Sequence, residues 1–420
     1  MPDAIVHLSS IAGSALLDST DERLGRVSDI VARLDTGDPL PPVVGVKARI
    51  GGREMFVPAS RIQTLGPDAA KTTTTKLNLA QFERRAGEIL LVEDVLDRSL
   101  INVRTAKLVT AREVDLVCEE GVWRVAGVDP TVRARFRRFL PRGQRRHDVE
   151  HDQFVGWPDL EAFVGHVPTS RLKLASRRLA RLHPAQIADL VEAASHEEGE
   201  EILEAVGADK ELEADVFEEL DDEHQVEFLR ERSDEEAAAV LSRMATDDAA
   251  DLLLEIEQDR RLPILNLLPA VKQRKIKAVL GHNPSTAGGI MNPDFIAAST
   301  NASAGEALDR VRVSELGPQQ LSIVCVTDDS GVLAGTLSLA DLIRAQPHER
   351  LGTLTAEAPT PTVGTEADLP EVARLMSDYN LIAMPVLDGG GKAVGIIAVD
   401  DILELLVPEE WRRRAGMARG

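Results

Sequence analysis

The sequence predicts a multidomain α+β protein: small β-barrel modules first, then an all-α superhelical repeat, then a pair of βαββα modules. Three patterns predict it. Apolar and polar residues alternate between turn signals through about the first 130 residues. The apolar pairs Phe228-Leu229, Val240-Leu241, Leu252-Leu253 and Ile264-Leu265 recur every 12 residues. Val326, Asp328, Gly331, Gly335, Asp341 and Leu342 return 60 residues later as Val386, Asp388, Gly391, Gly395, Asp401 and Ile402. A chain of 420 residues is too long for one ordinary core and suits about three domains.

The strand signals come first. Gly51-Gly52 separates Val43-Val-Gly-Val-Lys-Ala-Arg-Ile50 from Glu54-Met-Phe-Val57, the mark of a hairpin. After Thr72–Thr75 the alternation returns in Glu88-Ile-Leu-Leu-Val92, Val114-Asp-Leu-Val-Cys118 and Val122-Trp-Arg-Val-Ala-Gly-Val128. Both halves open on a short apolar run, pass an Asp-rich turn and continue as strands, which predicts a duplicated barrel: residues 1–66, a linker at 67–81, and residues 82–130. Residues 131–164 read as a basic connecting segment, with Phe136 and Phe139 at a helical spacing. Its arginines are expected to face the acidic stretch that follows.

That stretch starts the helical repeat. Asp222, Asp234 and Thr246 each precede first-turn acids, which suit the positive end of a helix dipole, so each unit is one short helix and a turn. The array is expected over residues 165–284. His183 before Pro184 reads as a helix start, with a capping or packing role.

Charge and composition narrow the function. Apolar residues make up 43%, charged residues 28% and aromatics only 3%, so the cores must rest on Leu, Val, Ile and Ala. The net charge is −22, and Glu192–Asp259 alone holds 26 acids against four bases. Such a stretch repels nucleic acid and membrane surfaces and attracts cations, or is simply a solvated acidic face. No run approaches the roughly 18 uncharged apolar residues of a membrane span, so no membrane insertion is expected. The first residues lack a basic region followed by an apolar run, and Cys118 and Cys325 stand far apart, which fits a cytoplasmic protein with unbridged thiols. No HExxH, triad-like or P-loop pattern occurs, and the chain is not expected to be an enzyme.

The 60-residue pair, expected over residues 285–350 and 351–410 before a basic tail at 411–420, resembles tandem CBS modules. The 12-residue array resembles the intracellular N domain of MgtE magnesium transporters. Leu182-His-Pro-Ala-Gln-Ile-Ala-Asp-Leu190 is similar to that domain's opening helix, and Thr246-Asp-Asp-Ala-Ala-Asp-Leu-Leu253 to one of its helix starts. Thr286-Ala-Gly-Gly-Ile-Met-Asn-Pro293 resembles the junction with the first CBS module, and Ala398-Val-Asp-Asp-Ile-Leu403 the end of the second. Leu24-Gly-Arg-Val-Ser-Asp-Ile-Val31 and Glu93-Asp-Val-Leu-Asp97 resemble PRC-barrel modules.

The MgtE resemblance implies a cytosolic sensor in which Mg²⁺ bridges acids of the N domain and the CBS pair. Mg²⁺ takes oxygen ligands and keeps several waters, so sparse carboxylates across an interface can hold it weakly. Carried onto this sequence, the implied ligands are Asp215, Asp247, Asp251, Asp401 and Glu404, with Asp247 and Asp401 as one bridge and Gly288-Gly289 approaching them. Asp247 capping its own helix, and Asp401 holding the turn before the last helix, are the plainer readings. Pro370 and Asn380 stand where the transporters carry acids. Adenine-nucleotide binding in the CBS cleft is implied by Gly335, Ser338 and Asp341, although Ala398 replaces the second hydroxyl, and Ile323 and Ala340 replace an aromatic and a basic residue.

The resemblance also implies a homodimer through the CBS pair and a membrane transporter or other protein as partner, the pore lying elsewhere. Two other readings stay open. One is a CBS and PRC scaffold that binds no ion. The other is RNA or ribosome association through Arg135, Arg137 and Arg138, against which the overall acidity argues.

Overall fold

The computed structural model describes residues 4–34, 38–75, 80–85, 87–137, 154–162, 179–356 and 360–407. The chain divides into two compact units, Met1–Val216 and Phe217–Gly420. The basic tail, Arg138 and Phe139 lie outside the described residues, and Val132–Arg137 is a short helix.

In the first unit the strands are β1 (Ala4–His7), β2 (Ala15–Leu17), β3 (Arg23–Arg33), β4 (Val43–Ile50), β5 (Arg53–Pro58), β6 (Ile62–Leu65), β7 (Ala69–Thr72), β8 (Ala80–Gln81), β9 (Glu88–Leu90), β10 (Ser99–Asn102), β11 (Lys107–Thr110), β12 (Glu113–Glu119), β13 (Val122–Asp129), β14 (Val155–Gly156) and β15 (Leu160–Ala162). The two halves exchange their opening strands: β1 pairs with β12 of the second half, and β9 pairs with β3 of the first.

Each exchanged strand is received in the same way. Asp29 of β3 accepts the Val92 and Glu93 N–H groups at 2.8 and 3.1 Å, and Glu113 of β12 accepts the Ser9 N–H at 3.0 Å. These carboxylates satisfy backbone donors that the turns after β9 and β1 would otherwise leave unpaired. Burial pushes Asp29 up to about 7. One core runs through both halves, from Leu8 and Ile11 through Ile30 and Val46 to Leu116, Trp157 and Leu160.

Two sequence expectations change here. The stretch 67–81 is not a plain linker, because β7 pairs with β2 and β6, and β8 pairs with β5. Residues 155–162, expected in a basic connector, supply β14 and β15, which pair with β13 and β10.

The helical repeat runs as α1 (Pro184–Ala193), α2 (His196–Val206), α3 (Lys210–Glu219), α4 (Asp222–Arg230), α5 (Asp234–Leu241), α6 (Thr246–Glu255), α7 (Gln258–Leu267) and α8 (Ala270–Val279). From α3 to α8 the first helical residue recurs every 12 residues, as the apolar pairs require. The caps lie one residue earlier than the sequence suggested. Asp221 and Ser233 accept the His224 and Glu236 N–H groups, while Asp222 and Asp234 are already helical. His183 caps α1, its Nδ1 accepting from Ala185 N. Phe228 is 1% exposed in α4. Truncating it to Ala should lower the stability of the second unit by about 3–5 kcal/mol, read by urea unfolding, because the cavity left behind adds to the lost transfer energy.

The 60-residue repeat gives two βαββα modules. The first holds β16 (Ile296–Ser299), α9 (Ala304–Val313), β17 (Ile323–Thr327), β18 (Leu333–Ser338) and α10 (Leu339–Arg344). The second holds β19 (Val363–Gly364), α11 (Leu369–Tyr379), β20 (Ala383–Leu387), β21 (Ala393–Ala398) and α12 (Val399–Leu406). In each, the opening strand is parallel to the next and the hairpin is antiparallel.

The repeated Asp closes the hairpin turn both times. Asp328 accepts the Ser330 and Val332 N–H groups, and Asp388 accepts those of Gly390 and Lys392. Gly331 and Gly391 follow at φ +83° and +78°, a left-handed conformation that suits glycine. The two modules pack sheet against sheet, burying Ile323, Cys325, Ala383 and Ile396 between them. Burial there pushes the Cys325 thiol up to about 12, which leaves it unreactive. Pro370 lies in the first turn of α11 and Asn380 caps its end at φ +50°, so both departures from the transporter pattern have local backbone roles.

Candidate metal centre

The short helix α6 enters without a side-chain cap at Ala245 and places Asp247 and Asp248 in its first turn. Its Ala249, Ala250, Leu252 and Leu253 are buried, which draws Asp247 inward with them until it is only 9% exposed. Asp251 follows one turn later at the solvent edge. From the second CBS module, α12 brings Asp401 and, on the next turn, Glu404. Glu218, at the end of α3, completes the group, its carboxylate accepting the Ala245 N–H.

These acids act on one another. Burial and then Asp401, with Glu218 adding, push Asp247 up to about 8, although N–H groups at the start of α6 pull the other way. Asp248 stands well above the carboxylate range through burial, Asp247, Glu218, Asp401 and Glu404. Asp251 rises to about 6 through the protein packed around it and then through Asp222, Glu255 and Glu404. Asp401 rises to about 6 through burial, Asp400 and Glu404, partly offset by the Ala398 N–H that it accepts at 2.9 Å. Of the plainer roles, Asp401 fills its own by accepting the Ala398 N–H, whereas α6 has no side-chain cap and Asp247 does not supply one. That role does not account for the crowding of the carboxylates.

The donor set fits a hard divalent cation. Every donor is a carboxylate oxygen, and the groups that perturb Asp248 and Asp251 are all acids. The ammonium of Lys272 donates to the Met244 carbonyl and also feels Asp294, Asp247 and Glu218, so it offsets part of their charge, while that of Lys275 is directed to Asp294. Among the described residues, no three of these carboxylates bring oxygens within 4.8 Å of one another.

The other expected positions fall elsewhere. Asp215 is exposed on α3, where Glu211, Asp209 and His183 are its charged neighbours. Gly288 and Gly289 let the Ala287–Ile290 turn approach the chain before it: a Cβ at Gly288 would meet the His282 ring at 2.6 Å, and one at Gly289 would strike the Asn283 carbonyl. Ser338 caps α10, donating to Asp341 Oδ2 at 2.6 Å and accepting the Asp341 N–H at 3.1 Å. A Cβ at Gly335 would meet the Thr355 side chain at 2.9 Å, which explains that glycine by packing. Asp248 and Glu218 were missed from sequence, although Asp248 sits within the Thr246–Leu253 motif.

Residues 182–285 match the family model described as the MgtE intracellular N domain. Residues 287–348 and 356–408 match the CBS domain, and 4–79 the PRC-barrel domain. The chain carries an MgtE N domain followed by a CBS pair. It is 36% identical over 147 residues to the magnesium transporter MgtE of Thermus thermophilus, which is 34% of this chain and 32% of that protein. The Bacillus subtilis magnesium transporter MgtE is 26% identical over 147 residues, with the same coverage of 34% and 32%. The chain thus spans about a third of the length of the curated relatives it matches.

Among solved structures, the cytosolic domain of the Mg²⁺ channel MgtE in complex with ATP aligns with a TM-score of 0.51 and 29% identity, over 55% of this chain and 93% of that one. The soluble part of a magnesium transporter aligns with a TM-score of 0.51 and 25% identity, over 55% and 90%. No helix among the described residues is long and apolar enough to cross a membrane.

Proposed function

We propose that the MgtE N domain and CBS pair of this chain form a Mg²⁺-responsive regulatory module. The observation that carries this reading is the crowding of Glu218, Asp247, Asp248 and Asp251 against Asp401 and Glu404, in which burial and acidic neighbours raise Asp247, Asp248, Asp251 and Asp401. Without a cation these charges oppose the docking of α6 on α12. A partly hydrated Mg²⁺ relieves that repulsion and favours the docked form. Asp247 and Asp401 would supply the central bridge, with Asp248, Asp251, Glu404 and Glu218 around it. Asp215, beside Glu211 and Asp209, would serve a separate ion. The output would pass to a membrane transporter domain, the similar proteins of Thermus thermophilus and Bacillus subtilis being magnesium transporters.

Two companion features belong to the same reading. An adenine nucleotide could enter the CBS cleft, the ATP complex of the MgtE cytosolic domain being the support, with Ser338 and Asp341 as its contacts. A second copy of the chain could cover Tyr379, Ile382, Leu403 and Leu406, which are 55%, 63%, 53% and 52% exposed.

Small-angle scattering of the full chain, with and without about 10 mM Mg²⁺ at fixed ionic strength, tests the sensor. Compaction is expected in the wild type and absent in Asp247→Ala/Asp401→Ala. An unchanged profile in the wild type would remove the sensing role and favour an ion-independent scaffold.

A further inference from the structure

The junction before the first CBS module bonds to both halves of the acid cluster through one residue. Asn292 is 3% exposed. Its backbone N–H donates to the Ile396 carbonyl at 2.8 Å, and its carbonyl accepts the Ile396 N–H at 2.9 Å. Asn292 therefore rides on β21, the strand that runs straight into α12 and Asp401. Its side chain reaches the other way, Nδ2 donating to Asp247 Oδ1 at 2.8 Å. The Asp294 N–H donates to Asn292 Oδ1 at 2.8 Å, which fixes the amide with its nitrogen toward Asp247.

Asp294 ties down the same helix start. Its carboxylate accepts from Thr246 Oγ1 at 2.5 Å and from the Lys275 ammonium. Thr246 thus spends its hydroxyl on the junction, beside an α6 that has no side-chain cap.

We propose that Asn292, braced by Asp294, is a positioning residue that holds Asp247 and the start of α6 on the second CBS module with or without a cation, and so sets how little cation completes the docking. This rests on the reading of the acid cluster as a cation site. The chemistry of the residue suits the role. A neutral amide orients a carboxylate without cancelling its charge, so Asp247 stays available to a cation. Hydrogen bonds to charged groups are stronger than neutral ones, enough for about a tenfold effect on an equilibrium.

The test uses the full chain carrying Asn292→Ala, and separately the near-isosteric Asn292→Asp and Asp294→Asn. Hydrogen exchange of the 246–251 amides is measured in chelator, and the Mg²⁺ midpoint of compaction is measured by scattering. Asn292→Ala should speed ion-free exchange about tenfold and raise the midpoint about tenfold, with an unchanged compact form at saturation. Asn292→Asp should speed ion-free exchange further, because it sets a like charge against Asp247, and Mg²⁺ should restore protection. Asp294→Asn should act in the same direction by a smaller factor.

A lower unfolding temperature in all three variants, with exchange at 246–251 and the midpoint unmoved, would mean that Asn292 only stabilises the fold and would overturn the proposal. If the wild type ignores Mg²⁺, the sensor reading falls. The ion-free exchange comparison then decides the positioning role alone, and unchanged exchange there would overturn it too.

Discussion

Asp247→Asn is expected to abolish the Mg²⁺ response and, in chelator at neutral pH, to stabilise the second unit by about 2–4 kcal/mol, the worth of a shift of a few pH units on a buried carboxylate. Both effects have one cause. Asp247 is 9% exposed and is pushed up to about 8 by its burial and by Asp401, so holding it ionised there costs folding energy. The amide keeps the shape and still offers Oδ1 to the Asn292 donor, so the variant removes the charge and leaves the bond.

Alanine at the same position removes both. It should stabilise less, because the buried Asn292 amide would lose its partner. Asp401→Asn should behave like Asp247→Asn, since an amide oxygen can still accept the Ala398 N–H. Asp251→Asn should stabilise less than Asp247→Asn, because Asp251 lies at the solvent edge of the cluster, where water screens its charge. Urea unfolding in chelator and Mg²⁺ titration by scattering read the two effects. A less stable Asp247→Asn protein, or one that still compacts with Mg²⁺, would show that Asp247 has a structural role alone.

How much of this was legible in the sequence follows the range of the interactions. The 12-residue helices were, because each unit repeats its own apolar pair and its own start. The caps were misplaced by one residue because Asp222 and Asp234 satisfy the same local preference as Asp221 and Ser233. The paired CBS modules were legible through Asp328 and Asp388, which close identical turns within five residues of chain.

Nonlocal pairing was hidden. Ala69–Thr72 carries no large apolar side chain, and only its partners β2 and β6 make it a strand. The exchange of β1 and β9 left no local trace. In the cluster, Asp247, Asp251, Asp401 and Glu404 came from the MgtE resemblance. Glu218 and Asn292 did not, because their roles depend on which side of two short helices packs inward.

Acid should close the module as the cation does. Between pH 8 and pH 6, the Mg²⁺ midpoint is expected to rise by about tenfold per pH unit for each proton the ion must displace. In the folded protein, burial and like charge raise Asp247 to about 8 and Asp251 and Asp401 to about 6, and hold Asp248 high as well. In the unfolded chain these groups ionise near pH 4. Between those limits the folded state binds the more protons, so ion-free stability falls as pH rises from about 4 to about 8. Asp294 works against this trend. Although burial pushes it up, its bonds to Lys275 and Thr246 hold it below the usual range, and its contribution is lost as pH falls.

Mg²⁺ titrations at pH 6, 7 and 8 and fixed ionic strength, with calorimetry in two buffers of different ionisation heat, measure both the midpoint and the protons released. Proton release at neutral pH with a rising midpoint in acid fits carboxylates that must ionise before they can bridge. A midpoint that stays constant would mean that these acids are already ionised without the ion, and that the ion displaces no proton when it bridges them.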